Sequence, residues 1–317
     1  MSEFRRNLLM AMNRTEPPIT KDYLTIVALE DGLTAKLSLN ACEYCVDGNG
    51  NWKTLPADTE TEPINAGHTL SFRGNLTPTS SNGIGTFTVN KFHNLKGNCM
   101  SLLFGDDAKD CFSLAGKNYA FYNLFKGNDK LVNVSKSFLP ATTVSDYCYN
   151  KMFSSCKSLL CPPELPAMTT KQLCYQVMFE NCTSLMESPK LPATNLSFAC
   201  YNGMFSGCTL LTKVQTLPAL KLSSHCYQRM FQNCTSLINA PELIATTLTA
   251  NCYNGIFINC SKLDCIKMLA TDISAIDCLT NWVDGVAEDG TFVKNKDATW
   301  DVRGASGIPN GWEVITE

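Results

Sequence analysis

From Cys148 to Leu269 the apolar positions recur every 26 residues. Cys148, Cys174, Cys200, Cys226 and Cys252 are each followed by a tyrosine. Met152, Met178, Met204, Met230 and Ile256 come next, then Phe153, Phe179, Phe205, Phe231 and Phe257. A second cysteine series runs in the same phase at Cys156, Cys182, Cys208, Cys234 and Cys260, followed by leucines at 159, 185, 211, 237 and 263. A further leucine closes each unit at 165, 191, 217, 243 or 269. A fixed period between 20 and 50 residues is the signature of a stacked repeat, because one such unit cannot bury its own apolar face.

Within a unit the pattern predicts three pieces. "CYNGMF" reads as a short helical turn, with cysteine, methionine and phenylalanine on one inward face. Asn181, Gly207, Asn233 and Asn259 precede the second cysteine and suit the left-handed residue that ends a helix, with Ser155 the exception. A short strand carrying the inward leucine follows, as in "CTSL", and then a proline-rich return such as "PELPA". The expected architecture is an α/β leucine-rich-repeat solenoid over residues 116–272. "AFYNLFKGNDKL" from Ala120 forms an atypical first coil, and residues 273–317 form a C-terminal cap. In that cap Cys278, Trp282 and Val283 keep the phase, while "GTFVKN" from Gly290 reads as out of step.

Ahead of the repeats the period changes to two. "YLTIVAL", "LTAKLSL", "TLSFRG" and "GTFTVN" predict strands, so residues 23–115 read as a β-rich, sandwich-like domain with a connector over Gly97–Leu114. "VDGNGNW" is a hairpin signal resembling an Asp-box; Asp47, Asn49 and Asn51 resemble a calcium loop, but Trp52 and Asp58 stand where glycine and glutamate belong. Residues 1–22 contain a short apolar run, Leu8 to Met12, and read as a terminal helix or docking arm.

The seventeen cysteines alter this picture only through their positions. In stacked copies the two cysteine series form ladders of parallel side chains, a poor match to disulfide geometry and to zinc spacing, so they read as buried free thiols. Cys42 and Cys45 are the only C-x2-C pair, with no second pair nearby. A net charge of -3 lacks the basic surplus of a nucleic-acid binder, and no apolar run approaches the roughly 20 residues of a membrane helix. His68, His93 and His225 pair with no nucleophile at motif spacing, no phosphate loop is present, and Asp106 and Asp107 read as loop charges. No catalytic residue, cofactor or metal is therefore expected.

The motif "MFxxCxxLxxxPxLPATTL" resembles the BspA-like leucine-rich repeats of bacterial surface proteins, over about Ala120 to Asp272 plus the cap. The ending "GIPNGWEV", Gly307 to Val314, together with the β-rich front, is similar to chains encoded by phages and prophages. The resemblance implies adhesin-like recognition of a protein or cell-surface receptor, at a virion or bacterial surface. The absence of an export signal favours the virion.

The positions beside the inward leucine vary between otherwise matching copies, and this stripe is the expected partner-binding surface: Leu160, Met186, Glu187, Leu210, Lys213, Ile238, Asn239 and Asp264. The first expectation is a non-enzymatic recognition protein whose arm and β domain attach it to a larger assembly or a homo-oligomer. The alternatives are a purely structural decoration protein and a carbohydrate-binding protein or enzyme using the β domain.

Overall fold

The computed structural model describes residues 22–80 and 82–317, so the predicted arm falls outside the described residues except for Asp22. In the front domain the alternating segments become β1 (Leu24–Ala28), β2 (Ala35–Leu37), β3 (Cys42–Val46), β4 (Lys53–Leu55), β5 (Thr69–Arg73), β6 (Phe87–Val89) and β7 (His93–Lys96). A six-stranded sheet runs β4-β3-β5-β1-β7-β8, and its last member, β8 (Leu131–Val134), comes from the first repeat. The strands are antiparallel up to β7, and β8 joins β7 in parallel. β2 and β6 form only a two-stranded ribbon. The sandwich expectation is thus corrected: two three-residue strands are too short for a second layer, and the first repeat shares that role. Phe87 on the ribbon touches Phe72 of the sheet at 4.9 Å and Phe125 of the first repeat at 5.4 Å.

The α/β solenoid expectation is also corrected. Among the described residues the one α-helix is the four-residue turn Ser101–Phe104, which lies in the front domain. "CYNGMF" and its equivalents are not helical, because every fourth residue is left-handed. Tyr147, Lys151 and Ser155 have φ of 58°, 59° and 64°, and Ala199, Gly203 and Gly207 repeat this at 50°, 61° and 76°. A helix admits such a residue only at its end. Here the chain becomes a run of turns. Asn150, Met152, Ser154 and Cys156 donate their N–H to carbonyls three residues back. The intervening Tyr149, Lys151, Phe153 and Ser155 donate instead to Cys174, Gln176, Met178 and Glu180 of the following repeat, at 2.7–3.0 Å. Alternate amides thus close the turn and join the repeats, so the segment's backbone needs are met without helix or strand.

The inward leucines do not sit on strands either. Leu159 closes a turn on Cys156, and pairing between repeats starts just beyond, as single bridges at Asn133–Cys161, Glu187–Lys213 and Asn239–Cys265. Two steps carry no bridge, Cys161–Glu187 and Lys213–Asn239; at the first, Pro162 occupies the place from which Ser188 and Ala240 donate to their neighbours, and proline has no N–H. A regular parallel sheet appears at the far end, where β9 (Cys265–Met268), β10 (Thr291–Lys294) and β11 (Glu313–Thr316) align. Thr291 pairs with Cys265, so "GTFVKN" is in step with the 26-residue period after all. Opposite Leu243 stands Met268, which is fully buried, and the period-matched Leu269 is only half-buried.

Inside, equal residues stack on equal residues. The rings of Phe153, Phe179, Phe205, Phe231 and Phe257 lie 5.7–5.8 Å apart and within 10° of parallel, and Tyr149 to Tyr253 form a second column. Each ring contact adds about 0.5–1.5 kcal/mol beyond its buried area. All seventeen cysteines are free, and the ten ladder cysteines are fully buried. The second series has a further role. Cys156, Cys182, Cys208, Cys234 and Cys260 each donate Sγ–H to the carbonyl of the phenylalanine 29 or 31 residues earlier, at 3.1–3.2 Å. Burial raises these thiols, Cys208 to about 12, so the donor proton is retained.

Candidate functional site

The proline-rich return builds an outward face whose residues, the prolines apart, differ between repeats. Leu165 and Ala167 point inward, and the two-residue alternation of extended chain turns Glu164, Pro166 and Met168 outward. The following repeats present Lys190, Pro192 and Thr194, then Thr216, Pro218 and Leu220, then Glu242, Ile244 and Thr246. Prolines 166, 192 and 218 thus form a half-buried row, because an extended return without donors suits proline.

The residues expected beside the leucine sort into two rows. Met186 and Ile238 are 49% and 46% exposed, and Leu160 is half-buried in the same row. Thr212 holds this row's place in the third repeat, where it donates its N–H to the Met186 carbonyl at 3.1 Å. Leu210 stands on the other side of buried Leu211, in register with Ser184 and Ser236, and does not join Met186. Glu187 and Lys213 are brought together as an ion pair of 2.8 Å, with Gln215 donating to the same carboxylate. Asn239 is exposed beside Cys265, and exposed Asp264 donates its N–H to the Ile238 carbonyl.

Sequence reasoning missed the second margin of this face. Met168 and Leu220 are 55% and 66% exposed, in matching places two repeats apart. Their signal was available in the varied residue after Pro-Ala in "PAMTT", "PATNL" and "PALKL". The face therefore has apolar margins at Met186 and Ile238 and at Met168 and Leu220, with prolines and scattered charges between. Lys267 pairs with Glu242 and Glu317, at 3.5 and 2.6 Å. Exposed pairs of this kind contribute about 0–1 kcal/mol each, so they orient side chains more than they stabilise the fold.

The front domain offers two other constellations. Arg73 bridges Glu43 and Asp106 at 2.8 Å each and covers the Trp52 ring at 4.2 Å. With Tyr23 packed edge-on against the same ring, Trp52 is part of a clasp between strands and not an open stacking platform for a sugar. In the "VDGNGNW" hairpin, Asp47 accepts from the Thr69 N–H and lies 2.6 Å from His68, while Asn49 accepts from the Asn51 N–H. These oxygens already serve the turn. Cys42 and Cys45 lie three apart on β3 and so face opposite sides of the sheet. Burial pushes the Cys42 thiol up to about 12. Among the described residues no group of three or more His, Cys, Asp or Glu could hold a metal ion, and no helix is long and apolar enough to cross a membrane.

The sequence and the fold were compared with known proteins. No family model, curated protein or solved structure matches the chain.

Proposed function

We propose that this chain is a non-enzymatic recognition protein that binds a protein partner or receptor through the face bounded by Met168, Met186, Leu220 and Ile238. The observation that carries this reading is the contrast between constant and varied positions. The interior columns hold the same residue type in nearly every repeat, whereas the outward positions beside the leucine and on the return, the prolines apart, change between repeats and keep four large apolar side chains about half exposed or more. Clusters of that kind mark contact with protein. In this reading residues 1–22 and the front domain attach the chain to a larger assembly at a virion or cell surface.

The test is capture of biotinylated full-length protein on intact bacterial cells and on phage particles. The double variant Met186→Glu, Ile238→Glu and the single variant Leu220→Glu should each keep the unfolding free energy within about 0.5 kcal/mol of wild type. Both should lose at least about tenfold in capture, the scale of truncating one interface hot spot. Unchanged capture by both variants would remove the face from the function and favour a rigid spacer. Capture retained by residues 1–115 alone and competed by free glycan would move recognition to the front domain.

A further inference from the structure

The parallel seam between β7 and β8 joins the front domain to the first repeat, and it is irregular. The register shifts between His93 and Asn94, and the His93 amide reaches Lys130 at a long 3.2 Å. Three buried polar atoms at this seam lack a partner: His93 Nε2, Asn133 Oδ1 and Ser135 Oγ. Native interiors satisfy nearly all such atoms, so three at one seam need an account. His93 is fully buried, opposite Ala28 on β1 and Leu131 on β8, and its Nδ1 lies 2.9 Å from the Lys91 carbonyl. That bond makes Nδ1 the donor and leaves Nε2 as a bare acceptor facing an apolar interior.

The charged groups of the packed elements offer the ring no compensation. Glu30, beyond β1, accepts from the Phe92 N–H. Lys130, ahead of β8, donates to the Asn90 carbonyl, and Asp129 beside it is exposed. Lys91 and Lys96, on its own strand segment, bring no opposite charge. A proton on Nε2 would thus add a charge and a donor with nowhere to go, unless the seam opens to water.

We propose that the β7–β8 seam is an acid-opened joint, in which protonation of His93 parts β7 from β8 while the repeat stack, and the Phe87–Phe125 contact beside the seam, stay intact. The inference stands on the seam and is independent of the recognition reading. The sign follows from linkage. Burial lowers the His93 pKa from 6.5 to about 4, so the opened state binds the proton more tightly. Closure is fully favoured above pH 6.5 and is lost progressively as pH falls toward 4. The opening equilibrium should rise about 30-fold between pH 7.5 and pH 5.

Hydrogen exchange on the full chain at these two pH values, corrected for intrinsic rates, tests this. Peptides covering 93–96 and 131–135 should lose about 30-fold in protection, while those covering 199–208 hold theirs. His93→Gln, which can still donate toward the Lys91 carbonyl but cannot titrate, should keep the seam closed at pH 5. Seam protection indifferent to pH, equal loss in the repeats, or equal loss in His93→Gln would each overturn the proposal. Should that variant fail to fold, an NMR titration of wild-type imidazoles decides: His93 must titrate over the pH range in which the seam opens, and titration elsewhere rejects the joint.

Discussion

The front domain and the repeats bury aromatic rings in opposite ways. In the front domain Phe72 meets Phe87 at 4.9 Å and 65°, an edge contact between unlike places. In the repeats Phe179 meets Phe205 at 5.7 Å and 2°. A translated unit has no choice of angle, since each ring must match the one before it. The front domain closes by fitting different side chains together, so each can change with its neighbour. The repeats close by identity, which fixes Tyr, Phe and Cys copy after copy and leaves only outward positions free. The lesson is that a constant residue here reports translation, and a varied one reports the surface.

The largest way to break this comparison is alkali. Burial holds Cys148, Cys208 and Cys260 up at about 12, while an unfolded thiol ionises near 9. A raised folded pKa gives stability that is complete below pH 9 and is lost as pH climbs through it. Each of these thiols should forfeit about 2 kcal/mol by pH 10.5. With ten ladder cysteines in the repeats, hydrogen exchange at pH 10.5 should show them opening before the front domain. The reverse order would end the comparison.

Next in size is Phe205→Ala. It should lower the unfolding free energy by about 3–5 kcal/mol in chemical denaturation. Because Phe205 touches Phe179 and Phe231, exchange should quicken in both adjoining repeats. Loss confined to one repeat would argue against packing by identity. A smaller effect should come from Gly207→Ala. At φ +76° a new Cβ would sit 2.2 Å from Asn181 Oδ1, so a loss of about 1–3 kcal/mol is expected from thermal melts. No change would mean that the left-handed positions tolerate side chains freely.

The 26-residue period was legible because like residues fall at like places, and it located the buried columns and the outward row of Met186 and Ile238. The backbone that carries them was not legible. Tyr147, Lys151, Leu173 and Val177 adopt the left-handed region. None is a residue type that advertises it, and hydrogen bonds to the next repeat hold them there. Asn181 and Gly207 did signal left-handed positions, but a single cap and a recurrent turn leave the same mark. Leu210 shares the apolar character of Met186 and Ile238 but not their phase, and the period assigns Thr212 to that row. Met168 and Leu220 follow Pro-Ala in the return, away from the leucine stripe, and the same place holds threonine in the repeats between and after them, so no apolar row marks it.

The ladder beside the inward leucines has gaps at Cys161–Glu187 and at Lys213–Asn239, while the turn ladder beside it is unbroken. This has a mechanical meaning. The bonds between repeats run along the stacking direction, so a force pulling the two ends of the chain apart loads them one repeat at a time, as a zipper is loaded, and not all at once in shear. Each repeat that peels away releases 26 residues, or about 90 Å of extended chain. A force trace of this protein should therefore be a sawtooth of equal teeth, with the lowest peak at the join between the repeats of Lys213 and Asn239, whose backbone bonds are those of the turn ladder alone, whereas the join of Cys161 and Glu187 keeps the Thr169–Asn195 bridge.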